Sequence, residues 1–217
     1  MAYALAAVLG CLVGAWLAVV ADRLPRHESL VARPRRTPRN IAIVVFAAAL
    51  AIATVAVRSG AHDIALGLAL GAVLIPVAVI DFDFRLIPNR ITGPAALAAV
   101  VIGLATRPSG VPAQLIAGAA GFAFLLVFAL AYPRGLGMGD VKLAGVLGLF
   151  LGRSVAVALV VGIVAAAVLG VGVIARLGVS RGRKTAVPFG PFLALGGVVA
   201  ILAGPQIVHW YLHSVVR

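Results

Sequence analysis

Eight apolar runs, spaced from one end of a 217-residue chain to the other, leave very few folds open. They cover residues 3–21, 41–57, 64–80, 91–106, 111–131, 141–152, 155–175 and 187–208. In lipid such a segment must bond its backbone polar groups internally, and a helix does so without a partner strand. The chain is 63% hydrophobic and only 11% charged, whereas a soluble domain carries about a quarter charged residues. The reading is an all-α polytopic membrane protein, a single integral membrane domain over 1–217 with eight transmembrane helices. The sixth run falls short of the roughly 17–25 residues of a full crossing, so it is expected to tilt, to thin the bilayer or to insert halfway. Merging it with the seventh would bury Arg153 in a span that is too long.

Basic residues set the orientation, because Lys and Arg collect on the cytoplasmic side of a membrane. Loops 22–40, 81–90, 133–142 and 176–186 hold fourteen of the eighteen, leaving Arg58, Arg107, Arg153 and Arg217 for the other side. Both chain ends are then expected outside. Losing the sixth span would carry Arg176, Arg181, Arg183 and Lys184 across the membrane, so positive charge favours eight spans over seven. The net charge of +12 is spread over several loops without interleaved aromatics. Anionic headgroups of the cytoplasmic leaflet are therefore the expected partner, and nucleic acid is not.

Several other features have plain structural readings. No positive charge precedes the first run, while Arg23 and Arg26 follow it, so it is expected to be a retained helix rather than a secretory leader. Cys11 is the single cysteine and lies within that helix, which excludes a disulfide or a cysteine zinc site within one chain. It is expected to be a small buried packing residue. Gly10 and Gly14 form a small-xxx-small pair suited to close helix packing. His209 and His213, beside Trp210 and Tyr211, read as an interfacial belt rather than as ligands, and no metal site is expected.

The chemistry concentrates in the acids. Only six exist, and two short stretches, Asp81-Phe-Asp83-Phe-Arg85-Leu-Ile-Pro88 and Gly137-Met-Gly139-Asp140, hold three of them. A carboxylate at a bilayer boundary is costly to ionise and is rarely left without a partner or a task. Asp81 could pair with Arg85 across one helical turn, and Asp140 could cap a helix beginning at Val141. Asp83, two residues from Asp81, would point elsewhere on a helix and take an auxiliary or solvated role. Gly135, Gly137 and Gly139 are expected to open the backbone ahead of Asp140, adopt positive φ and allow close approach. If Asp81 and Asp140 meet, one of the two carboxyls keeps a proton. The ionised one can then take a proton from water while the protonated one hydrogen-bonds a scissile carbonyl.

At these residues the chain resembles the type IV prepilin peptidases, bacterial membrane aspartyl proteases of the GxGD kind. The matching pieces are Ile80-Asp81 with Ile87-Pro88-Asn89, then Gly137-Met-Gly139-Asp140-Val-Lys142-Leu, and finally Pro188-Phe-Gly-Pro-Phe192. The resemblance is strong over about 77–197 and looser over 14–25. It implies that Asp81 and Asp140 are catalytic, with Gly137, Gly139, Asp83, Pro88, Asn89 and Lys142 in substrate-binding or supporting roles. It implies a prepilin or pseudopilin precursor as substrate, a basic leader ahead of an apolar helix, cut at the cytoplasmic face of the bacterial plasma membrane. Many members carry two CxxC pairs in a cytoplasmic region tied to methylation; residues 22–40 here are short, arginine-rich and free of cysteine. No cofactor is therefore expected for peptidase action, and S-adenosylmethionine only if methylation is retained. The competing readings are a proton-coupled carrier with the aspartates as relay groups, or an inactive scaffold of the same fold. The carrier reading is opposed by the lack of an obvious inverted repeat and by both acids lying at one face.

Overall fold

The computed structural model describes residues 2–26, 28–30, 37–132, 135–177 and 188–214. Arg33, Arg35, Arg36, Arg134, Arg181, Arg183, Lys184 and Arg217, which weigh in the charge count, lie outside the described residues. Eight long helices make up the described chain: α1 (Ala2–Arg23), α2 (Pro38–Val57), α3 (Ala61–Phe84), α4 (Asn89–Thr106), α5 (Val111–Ala131), α6 (Met138–Leu151), α7 (Val155–Leu177) and α8 (Gly190–Ser214). Seven described stretches are long and apolar enough to cross a membrane. The sixth of these, the 39 residues Met138–Arg176, takes in both α6 and α7, and the structure folds it back on itself between them. Gly152 makes the reversal, with φ +55° and ψ −131°, a combination that a side chain would forbid.

Neighbouring helices run antiparallel along seams of small residues. A Cβ on Gly10 would lie 2.7 Å from the Cα of Ala48, and one on Gly14 2.9 Å from that of Val44, so α1 and α2 touch backbone to backbone. The same rotation that turns Gly10 and Gly14 toward α2 turns Cys11 outward. It is exposed, contrary to the expectation of a buried packing residue. In α5 and α6, Gly118 meets Leu149 and Gly121 meets Ala144. In α3 and α8, Gly67 meets Ile201 and Gly197 meets Leu74. Alternation brings the ends of α1, α3, α5 and α7 together with the starts of α2, α4, α6 and α8 at one end of the bundle, here the site end.

The core is built around α6. Val141, Leu143, Ala144 and Leu147 are fully buried, packed with Leu70, Leu74 and Val77 of α3 and Leu193, Ala200 and Ile201 of α8. At 14 residues, α6 rises about 21 Å, less than the roughly 30 Å of a hydrocarbon core. Surrounded by other helices, it can stop short, because irregular backbone at membrane depth is tolerated where protein covers it. The outer surface is apolar instead: Leu12, Trp16, Leu97, Ile116, Val127 and Val168 are all more than half exposed, as lipid-facing residues are.

Candidate active site

Asp81 and Asp140 reach the site end from opposite directions. Asp81 lies in the last turn of α3, whose final carbonyls are closed by Arg85 in the left-handed region (φ 54°, ψ 44°). Asp140 lies in the first turn of α6, where its Oδ2 accepts from the Gly137 amide at 3.2 Å and caps the helix. Both are buried, at 5% and 9% exposure. The sequence expectation that the two acids share one end of the bundle is met.

Each acid is oriented by backbone rather than by a cation. Asp81 Oδ2 accepts from the Gly190 amide at 2.9 Å, at the start of α8, and not from Arg85 within its own helix. A Cβ on residue 190 would stand 2.7 Å from that Oδ2 and 2.9 Å from Cγ, so only glycine lets the amide approach. Pro188-Phe-Gly-Pro-Phe192 carries part of the family resemblance, but sequence reasoning missed Gly190 as a site residue; the glycine between two prolines was the signal. On Asp140, Oδ1 is buried with no hydrogen-bond partner.

The loop after α3 closes the site. Ile87 is buried against Gly139, whose hypothetical Cβ would stand 3.0 Å from that of Ile87. Pro88 caps the start of α4, and Asn89 Oδ1 accepts from Lys142 Nζ at 2.9 Å. The Ile87-Pro88-Asn89 and Gly137-to-Lys142 motifs therefore interlock. The expected bend before α6 is present, with Gly137 extended at φ −78° and ψ 148°. The expected positive φ is not: among the described residues only Gly60, Arg85 and Gly152 adopt it. The glycines of this motif serve close approach instead. Asp83 turns away from Asp81 and pairs with Arg39 of α2 at 2.7 Å, so it is engaged rather than solvated. Two apolar grooves flank the site. One of about 620 Å³ lies between α4, α5 and α6 with Asn89 and Lys142 in its wall. The other, of about 470 Å³, lies between α2, α3 and α8 and is lined in part by Arg39 and Pro191.

Residues 68–173, which carry both aspartates, match the model of the Type IV leader peptidase family. That segment belongs to the family. Among curated proteins it is 34% identical over 142 residues to the prepilin leader peptidase/N-methyltransferase of Bacillus subtilis, covering 65% of this chain and 56% of that one. It is 36% identical over 154 residues to the protein of that name from Burkholderia pseudomallei, covering 67% and 48%. For Aeromonas salmonicida the identity is 30% over 149 residues, covering 66% and 50%. The chain thus spans about half the length of the curated relatives it matches. No solved structure matches. The family match and seven apolar stretches long enough to cross a membrane make this an integral membrane protein.

Proposed function

We propose that this protein is an aspartyl endopeptidase that removes the basic leader of type IV prepilins or pseudopilins at the cytoplasmic boundary of the bacterial plasma membrane. The observation that carries the reading is the burial of two carboxyls, from α3 and α6, at one end of the bundle, one with an oxygen, Asp140 Oδ1, that accepts from no protein group. The Gly190 amide holds Asp81 Oδ2 and the Gly137 amide holds Asp140 Oδ2, so each carboxyl has a fixed direction. One carboxylate, as base, takes a proton from a water, and the other, as acid, hydrogen-bonds the scissile carbonyl. Water adds to the carbon, the acid's proton passes to the leaving nitrogen, and the C–N bond breaks without a covalent enzyme intermediate. Lys142 and Asn89, two and eight residues beyond the aspartates in sequence, stand ready to contact the substrate backbone.

The fourteen basic residues of sequence segments 22–40, 81–90, 133–142 and 176–186 suit an anionic leaflet, which concentrates basic substrate leaders despite their like charge. The curated relatives are named for a second activity, N-methyl transfer. S-adenosylmethionine needs polar partners for its ribose and amino-acid portions, and the described cavities are lined almost wholly by apolar side chains and glycine. The described residues do not fit that group, and the assignment here is to the peptidase alone. The test is leader removal in vesicles by purified protein, with Asp81→Asn and Asp140→Asn examined separately. Loss of cleavage in both, with unchanged melting, is expected. Full activity in either overturns the dyad, and proton flux without cleavage would favour a carrier.

A further inference from the structure

The family match begins at residue 68, so α1 and α2 lie outside it. They nevertheless reach the catalytic end of α3. Asp81 and Asp83 are two residues apart, about 200° around a helix, and the last turn of α3 is held on both of those sides. Toward α8, the Gly190 amide holds Asp81 Oδ2 at 2.9 Å. Toward α2, a guanidinium nitrogen of Arg39 meets Asp83 Oδ2 at 2.7 Å. Arg39 is fixed in turn. It lies in the first turn of α2, which opens with Thr37 as cap and Pro38 at the helix start. The next residue, Asn40, donates from its side chain to Asp22 Oδ2 at 3.1 Å, and Arg39 itself stands 3.9 Å from Asp22 Oδ1. Asp22 closes α1, and α1 and α2 are joined backbone to backbone through Gly10 and Gly14. The rigid unit is the hairpin, and the element it grips is the helix end that carries Asp81.

We propose that Arg39 is a positioning residue: the α1–α2 hairpin uses it to latch the final turn of α3, through Asp83, so that Asp81 keeps its direction toward Asp140. The proposal rests on the peptidase reading for its kinetic consequence but not for its structural one. A helix terminus is the part of a helix most prone to open, and a catalytic carboxyl placed there needs a hold from outside its own helix. Gly190 supplies one side only. The Arg39 and Asp83 side chains are 43% and 31% exposed, so the pair contributes little to global stability. Its effect is on local order, and this separates the latch from an ordinary structural ion pair.

The experiment uses the full chain in anionic-lipid nanodiscs, with a membrane substrate bearing a basic leader before an apolar helix. Arg39→Gln, Asp83→Asn, their combination, the reversed pair R39D with D83R, and Arg39→Lys are compared for kcat, for KM and for amide hydrogen exchange at Phe84 and Arg85. The Arg85 amide donates to the Asp81 carbonyl at 2.8 Å and reports the last turn directly. Each single neutralisation is expected to lower kcat by about tenfold, with KM within about twofold, because a small misdirection of a reacting group is costly. The double variant should fall no further, since both changes remove one interaction. The reversed pair and Arg39→Lys should recover most of the loss, and exchange at residues 84 and 85 should rise in both singles. Arg176→Gln, which removes a cation from the same end of the bundle, should change neither readout. The latch is overturned by wild-type kcat and exchange in Arg39→Gln, by losses that multiply in the double variant, or by an equal loss in Arg176→Gln. If the wild type does not cleave at all, the peptidase reading fails. The exchange measurement then still decides the latch, which unchanged exchange in Arg39→Gln overturns.

Discussion

At the site end an arginine from α2 meets a carboxylate; at the far end another arginine of the same hairpin meets two carbonyls. Arg39 pairs with Asp83 in a partly exposed position. Arg58, just past the other end of α2, donates to the carbonyls of Ile201 at 2.7 Å and Ala200 at 2.9 Å. Pro205 lies four residues beyond Ile201 within α8 and has no N–H to give, so the Ile201 carbonyl has lost its helical donor. Arg58 supplies one. Burial pushes its guanidinium below the usual value, with Asp63 opposing, as expected where a cation is spent on neutral acceptors. The far end is thus tied by partly buried bonds, one of which repairs a helix. The site end is tied by exposed charge and by backbone amides that leave a carboxyl oxygen free. Stability and function are served at opposite ends by the same residue type.

That contrast can be broken, and the sharpest attempt is at Gly190. Gly190→Ala drives a methyl group into Asp81, and cleavage should fall by about a hundredfold while far-UV circular dichroism is unchanged; near-normal turnover would mean the Gly190 amide does not orient the acid. Gly139→Leu forces Ile87 away from α6 and should cost roughly tenfold in activity, read together with the melting point to separate a moved loop from a lost fold. At the far end the balance should invert. Arg58→Met leaves the Ile201 carbonyl without a donor and should lower stability by about 2 kcal/mol, measured by thermal unfolding in detergent, with activity per folded molecule intact. Should Arg58→Met instead abolish turnover in fully folded protein, the division between the two ends is wrong. The smallest effect is expected at Gly170 of α7, where a side chain would meet open space. Gly170→Leu should shift stability by no more than about 0.5 kcal/mol and leave cleavage unaltered.

Much of the site was legible as residue identity. Asp81 and Asp140 stood out because carboxylates are scarce in so apolar a chain, and Asn89 and Lys142 because they flank those motifs. The partners of these groups were hidden. The Gly190 amide acts through its backbone, which no side-chain pattern announces, and Arg39 was one of six arginines in a basic stretch that read as a lipid-facing rim. Cys11 was misread for a related reason: hydropathy places a residue in a membrane helix but does not say which side of that helix a neighbour covers.

Composition and spacing alone determined that this chain is helical, polytopic and short in its sixth run, because lipid accepts few other ways of satisfying a backbone and sets the length of each span. They also determined which acids were costly enough to require a purpose. Only the tertiary structure decided that α6 turns back at Gly152, that Asp83 pairs with Arg39, and that Asp140 keeps an oxygen without a hydrogen-bond partner. Those outcomes, like the Gly190 contact with Asp81 across 109 residues, depend on residues distant in sequence, and helix rotation and pairing fix such contacts while local sequence does not.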